Sequence, residues 1–279
     1  MKLAPPDGSR DRRIEDPTNL WLIHPASRAL LPLALRAGIS ANFVSFVGLF
    51  LGIAAAISYS NWTSRTAAAV GLLFSVGWLV ADGLDGMVAR ATRSASAFGR
   101  LLDGLVDHGV FTLIYVVLAM SIGTVEGWVL AFAAGFAHMV QSSLFEGERA
   151  RFHRRAKGDW GGTPPARTGG FLEKLYDDVS HIVDRAAGRF DQALRDDRDP
   201  ARFGQDYAAK AAWPMKVMAF ESANMRVLAI FVSCLAGNPR LFWWFEIVPL
   251  TLLIIGTLIW HRRVEAALMH PGGAKPVNT

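Results

Sequence analysis

"ADGLDGMVARATRSASAFGRLLDGLVDHGV", residues Ala81–Val110, sets four aspartates, Asp82, Asp85, Asp103 and Asp107, among apolar segments. It follows directly on "VGLLFSVGWLV", Val70–Val80, a run suited to the interior of a lipid bilayer. A buried ionised carboxylate is costly unless it is paired or binds a metal. An ionisable residue within a membrane segment therefore marks a functional site by default. Asp82, Asp85, Gly86 and Ala89 stand at i, i+3, i+4 and i+7, one face of a helix over two turns. Asp103 and Asp107 stand at i and i+4, with Gly99 one turn earlier. The short link Ala91–Phe98 makes the two helices antiparallel neighbours, so the four carboxylates converge at one end of the hairpin.

Working outward, six segments are long and apolar enough to span a bilayer. They run approximately over Asn42–Tyr59, Ala67–Arg90, Arg100–Ile122, Trp128–Phe145, Pro214–Ala236 and Leu241–Trp260. The runs are long and lack period-two alternation, which excludes strands. The chain has 279 residues, 52% of them hydrophobic and 19% charged, and a formal net charge of +5. Positive charge is sparse in "SNWTSRT", "GTVEG" and "GNPR". It gathers in the N-terminus, the Arg90–Arg100 link, the region Arg149–Lys216 and the tail from His261. That alternation places both termini and the aspartate hairpin on the cytoplasmic side. The basic balance is thereby assigned to topology. No zinc-finger spacing or basic-aromatic platform points to nucleic acid, and no nucleic-acid partner is expected. The single cysteine, Cys234, excludes an internal disulfide.

Two further segments read as amphipathic. "NLWLIHPASRALLPLALRAGIS", Asn19–Ser40, mixes apolar positions with Arg28 and Arg36 and is expected to lie along the membrane interface. "FLEKLYDDVSHIVDRAAGRFDQALRDD", Phe171–Asp197, carries a helical apolar stripe with a charged opposite face. It is expected either to rest on the bundle as a surface helix or to form a dimer contact or acceptor-site lid. The expected architecture is thus an all-α integral membrane protein of six transmembrane helices. Its segments are an N-terminal interfacial stretch (1–41), membrane helices one to four with the aspartates (42–147), a cytoplasmic helical insertion (148–213), membrane helices five and six (214–262) and a tail (263–279).

Four carboxylates in one place repel and raise each other's pKa. Hard divalent cations, which prefer oxygen ligands, relieve that cost. With no His or Cys interleaved at ligand spacing, Mg²⁺ or Mn²⁺ is favoured over zinc. Two such ions suit a displacement at phosphorus. Gly86 and Gly99 leave room beside the carboxylates, Ala89 keeps that face open, and Arg90 suits a phosphate.

Asp82-x2-Asp85-Gly86-x2-Ala89-Arg90-x8-Gly99-x3-Asp103-x3-Asp107 resembles, without a departure, the signature of the CDP-alcohol phosphotransferase family. "GISANFVSFVG", Gly38–Gly48, is similar to the family's entry to its first span. It keeps Asn42 and Gly48, with Ser40, Ala41 and Ser45 where the family usually has Thr, Pro and Thr. The resemblance implies a six-helix membrane enzyme, usually a homodimer, that displaces CMP from a CDP-linked donor by attack of an alcohol acceptor. It implies that Asp82, Asp85, Asp103 and Asp107 hold two metal ions and that Asp107 is the general base. Asn42, Asp82, Gly86, Ala89, Arg90 and Gly99 would line the CDP site. The expected donor is CDP-diacylglycerol and the acceptor a polar alcohol such as inositol (phosphate) or glycerol phosphate. The alternative is a CDP-choline or CDP-ethanolamine donor with a lipid alcohol. The expected location is the bacterial inner membrane, among its lipids, with the active site cytoplasmic. An ion or solute transporter with an acidic intramembrane site is the competing class. It does not account for Gly86, Ala89, Arg90 and Gly99.

The acceptor site is sought in spans four to six. The candidates to bind the acceptor are Arg149, in the stretch that closes span four and also readable as an ordinary interfacial cation, and Arg226, inside span five with Glu221 and Asn224. Glu221 and Arg226 are five apart, poorly spaced for a direct pair on a continuous helix. Arg226 is therefore read either as a ligand for an anionic acceptor or as a structural counter-ion.

Overall fold

A computed structural model describes residues 11–158 and 188–269, with the side chains of residues 97, 100, 101 and 103 outside that description. The described residues form helices and no strand. A π turn, Asn19–Ile23, leads into α1 (His24–Arg36). Then come α2 (Ala41–Ser60), α3 (Arg65–Ala91), α4 (Ala97–Ile122) and α5 (Val125–Ala156). Residues 188–196 are helical and are labelled α6. The rest are α7 (Pro200–Met218), α8 (Ala223–Leu235), α9 (Arg240–Phe245) and α10 (Thr251–Met269). Serines start three of the long helices. Ser40, Ser64 and Ser96 accept from the backbone N–H groups of Phe43 (3.3 Å), Ala67 (3.3 Å) and Gly99 (3.0 Å), satisfying donors that a first turn leaves open.

Five stretches are long and apolar enough to cross a membrane: Ala41–Ser60, Arg65–Ala91, Gly104–Ile122, Val125–Ala156 and Arg240–Met269. A sixth arises if α7 and α8 count as one span bent by 43°. The protein is an all-α integral membrane protein. Three expectations change in detail. Span four does not stop at Phe145: α5 continues to Ala156, because Glu146, Glu148, Arg149 and Arg151 pair at i, i+3 along it. Span five is not one helix from Pro214 to Ala236. It breaks at the 3₁₀ turn Ala219–Glu221, and its first arm begins at Pro200, inside the segment assigned to the insertion. Span six carries a π turn, Glu246–Leu250, around Pro249, which has no N–H to give to the regular ladder. The amphipathic helix expected over Phe171–Asp197 lies outside the described residues as far as 187.

The described residues divide into two compact units. One comprises Glu15–Met139 with Glu221–Leu250, and the other residues 11–14, Val140–Phe220 and 251–269. In the first, α2 packs against both α3 and α4. Small residues make that possible. A Cβ on Gly48 would lie 3.3 Å from Ala81 of α3, and one on Gly52 would overlap Val110 of α4. The helices α3 and α4 meet through Trp78 and Phe111, edge to face at 5.2 Å. The turn Asn19–Ile23 and α1 lie against α3, where Ser27 Oγ donates to the Val80 carbonyl at 2.8 Å. Trp21, Leu22, Leu30, Leu33 and Leu35 remain exposed along this segment.

The second unit has its own core of Phe152, Phe190, Tyr207, Met215, Met218 and Ile254. Charges run through it. His261 Nδ1 lies 2.8 Å from Glu148, and His261 Nε2 lies 2.8 Å from the Tyr207 hydroxyl. Arg155 bonds to Asp191 of α6 at 2.6 Å and to Glu265, and stacks on Phe190 with its guanidinium 4.9 Å from the ring.

Candidate active site

The last turns of α3 carry the first half of the signature. Asp85 is buried, whereas Asp82, Gly86 and Ala89 are half-buried and Arg90 is exposed at the helix end. Arg90 folds back over Gly86: a Cβ there would meet its Nη1 at 3.2 Å. The helix stops at once. Arg93 adopts φ 53°, Ser94 N–H bonds to the Ala89 carbonyl at 3.0 Å, and Arg93 N–H bonds to the Arg90 carbonyl. This double closure normally uses glycine at the left-handed position. Here an arginine accepts the strain, so the chain reverses within a few residues and Ser96 starts α4.

The second half of the signature lies on α4. Gly99 is in its first turn and Asp107 is half-buried two turns on. Asp103 takes its place on the same helix, with its side chain outside the description. His108 points elsewhere, exposed, its Nδ1 3.0 Å from the Gly104 carbonyl.

Both halves meet the first turn of α2. Ser45 Oγ donates to Asp85 Oδ2 at 2.6 Å, across the α2–α3 contact. Asn42 faces α4: a Cβ built on Gly99 would lie 3.5 Å from Asn42 Oδ1. One turn of one helix thus touches the buried carboxylate of α3 and the bare glycine of α4. The sequence places Asn42, Asp85 and Gly99 at a common site without showing that α2 is their common wall. Ser45 was legible only as a family position.

The two acceptor-site candidates each have ion-pair partners of their own. Arg149 belongs to the second unit and pairs with Glu146 at 2.9 Å. Arg226 is 1% exposed. Its Nε bonds to Glu246 Oε1 and Oε2 at 3.0 and 3.2 Å, its Nη2 to Glu221 Oε2 at 2.9 Å, and its Nη1 to the Glu221 carbonyl. The direct Glu221–Arg226 pair that five-residue spacing disfavours on a helix therefore forms. It does so because the chain is not helical through Ser222, so the i, i+5 geometry of a helix does not apply. The guanidinium also caps a carbonyl that the break leaves without its helical partner. Tyr115 donates to Glu246 at 3.0 Å, and His138 Nδ1 lies 3.2 Å from the Tyr115 hydroxyl. The break is latched from the N-terminal side: Ser222 Oγ donates to Asp16 at 2.7 Å and Asn224 donates to Thr18 Oγ1 at 2.7 Å.

Among the described residues, one group of three acidic or imidazole side chains brings its ligating atoms within 4.8 Å of one another: Glu148, His261 and Glu265. Arg151 and Arg262 pair with Glu148, and Arg155 and Arg262 with Glu265. This is an ion-pair network whose carboxylates are already engaged, not a cation site.

Comparison with known proteins finds one family over the same part of the chain. The family model for CDP-alcohol phosphatidyltransferase matches residues 39–172. That stretch begins beside Ser40 and holds every signature residue. An archaetidylinositol phosphate synthase from Methanothermobacter thermautotrophicus is 35% identical over 81 residues, which is 29% of this chain. The chain spans 40% of the length of that curated relative. Over residues 39–172, the stretch that carries the complete aspartate signature, the chain is thus similar to the CDP-alcohol phosphatidyltransferase family.

Proposed function

We propose that the protein transfers a phosphatidyl group from CDP-diacylglycerol to the hydroxyl of a polar alcohol, releasing CMP. The observation that carries this is the meeting of both signature halves on the first turn of α2, through Ser45 with Asp85 and Asn42 with Gly99. The name of the archaeal relative supports inositol phosphate ahead of glycerol phosphate as the acceptor. Charge distribution supports a cytoplasmic active site in a bacterial inner membrane, and the family resemblance supports a homodimer.

A divalent cation fits the residues present. Asp82, Asp85 and Asp107 offer oxygen ligands only, and Asp85 is buried within a span against a hydroxyl that orients the carboxylate without neutralising it. Asp82, Asp85, Asp103 and Asp107 would hold it. Mg²⁺ or Mn²⁺, two per site, would supply charge stabilisation for the diphosphate and the departing CMP.

The chain's own groups do the rest. Gly86 and Gly99 leave the helix backbones open to the nucleotide, with Asn42 and Ala89 beside them. Asp107 takes the proton of the acceptor hydroxyl as its oxygen bonds to phosphorus and the bond to the CMP oxygen breaks. Arg90, exposed at the end of α3, meets the negative charge of the diphosphate. Arg226 serves here as counter-ion to Glu221 and Glu246.

The test is CMP release from labelled CDP-diacylglycerol by the full chain in nanodiscs, screened over inositol phosphate, inositol and glycerol phosphate, with Mg²⁺ or Mn²⁺. Acceptor-dependent release is expected, abolished in Asp107→Asn while donor binding persists. Full turnover in Asp107→Asn removes it as the base. No CMP release from any CDP-linked donor refutes the transferase reading.

A further inference from the structure

Ser45 has no part in the chemistry above, yet it makes a direct side-chain contact to a signature aspartate. We propose that Ser45 is a positioning residue for the metal site: its hydroxyl fixes the orientation of the Asp85 carboxylate and so sets the affinity for the divalent cation. The inference rests on the transferase reading, and in particular on Asp85 as a metal ligand.

A serine in an apolar helix commonly bonds back to the carbonyl four residues earlier. That carbonyl, Ala41, lies 3.2 Å from Ser45 Oγ, whereas Asp85 Oδ2 lies at 2.6 Å. The hydroxyl has one proton to give. A charged acceptor at the shorter distance makes the stronger bond, so the proton goes to Asp85. Ser45 is 6% exposed and Asp85 7%, which removes competition from bulk water.

The backbone holds this contact in register. One turn beyond Ser45, the bare Gly48 lets α2 approach Ala81 of α3. On another side of α3, Ser27 Oγ donates to the Val80 carbonyl, and a Cβ on Gly83 would meet that hydroxyl at 2.8 Å. The turn bearing Asp82 and Asp85 is therefore fixed by two neighbours. Ser45 is the one of the two serines that addresses the carboxylate itself. Asn42, three residues earlier, faces Gly99. A small shift of α2 would thus disturb the metal ligand and the nucleotide wall together.

Outer partners of metal ligands typically cost about 10–100-fold in metal affinity when removed. The test measures Mn²⁺ binding by paramagnetic resonance on the full chain in nanodiscs, for wild type, Ser45→Ala, Ser45→Thr and Asp85→Asn. Ser45→Ala is expected to weaken Mn²⁺ binding about 10–100-fold. The Mn²⁺ concentration for half-maximal turnover should rise in parallel, with the donor KM at saturating Mn²⁺ unchanged. Ser45→Thr keeps the hydroxyl and should restore binding. If Asp85→Asn loses Mn²⁺ while Ser45→Ala binds it as wild type does, the positioning role is overturned and the metal site stands. A lower melting temperature in Ser45→Ala with unaltered Mn²⁺ affinity overturns it equally, leaving Ser45 a purely structural serine. If Asp85→Asn binds like wild type, or wild type binds no Mn²⁺, the metal assignment falls and this inference with it.

Discussion

Replacing Arg226 with methionine removes the charge that bridges Glu221 and Glu246, while keeping much of the side chain's bulk. Glu221 and Glu246 are 1% and 0% exposed, so neither carboxylate can turn to water. The substitution also takes a donor from the Glu221 carbonyl at the helix break. Removing one partner of a buried pair costs about 3–5 kcal/mol. At about 2–4 °C per kcal/mol for a chain of this size, the melting temperature should fall by roughly 6–20 °C. The partners should rank. Glu246 accepts from Arg226 and Tyr115, whereas Oε1 of Glu221 is buried with no hydrogen-bond partner among the described residues. Glu246→Gln should therefore destabilise more than Glu221→Gln. Arg226→Met combined with Glu246→Gln should be less harmful than the two single effects added. The assay is thermal unfolding of the purified protein in detergent, alongside turnover at varied acceptor concentration. If Arg226→Met melts with wild type and instead raises the acceptor KM, the guanidinium is available to substrate. The counter-ion assignment is then wrong, and Arg226 returns to the acceptor site.

Gly52→Ala should lower the melting temperature, since its Cβ would overlap Val110, and overpacking of this kind costs about 1–3 kcal/mol. Pairing it with Val110→Ala should recover most of the loss; a Gly52→Ala protein that melts normally would show that α2 and α4 do not pack this tightly. Arg155→Met should loosen α6, because Arg155 holds Asp191 and stacks on Phe190. Limited proteolysis should then cut faster within 188–196, and an unchanged rate would remove Arg155 as the anchor.

Local sequence carried much of this architecture. Hydropathy put the first two spans at Asn42–Tyr59 and Ala67–Arg90, against the helices Ala41–Ser60 and Arg65–Ala91. It did so because each helix holds one long apolar run and starts at a capping serine. Aspartate spacing set Asp82, Asp85, Gly86 and Ala89 along one helix, and α3 runs through all four, because residues three, four and seven apart share a helix face whatever surrounds them. What stayed illegible depends on pairs distant along the chain. Nothing near Arg226 announces Glu246, and nothing near Glu148 announces His261, 113 residues away. Hydropathy averages over Phe220–Ser222 and cannot register a helix break whose polar groups are served by Arg226 and Asp16. Nor does it show that α2 touches both signature halves, since Gly48 and Gly52 look like ordinary small residues until their neighbours are known. The left-handed Arg93 was hidden for a related reason, as glycine is the usual sign of such a turn.

Each unit is assembled from stretches that are not contiguous: Glu15–Met139 joins Glu221–Leu250, and Val140–Phe220 joins residues from 251 onward. The ribosome therefore delivers charges to the membrane well before their distant partners exist. Arg226 emerges with Glu221 five residues ahead of it, and Glu148 is followed three residues later by Arg151. Each early charge brings a companion from its own neighbourhood and acquires Glu246, His261 or Arg262 only when the last part of the chain is made. Each of these charges thus has a partner of opposite sign within five residues along the chain as well as one contributed from far downstream.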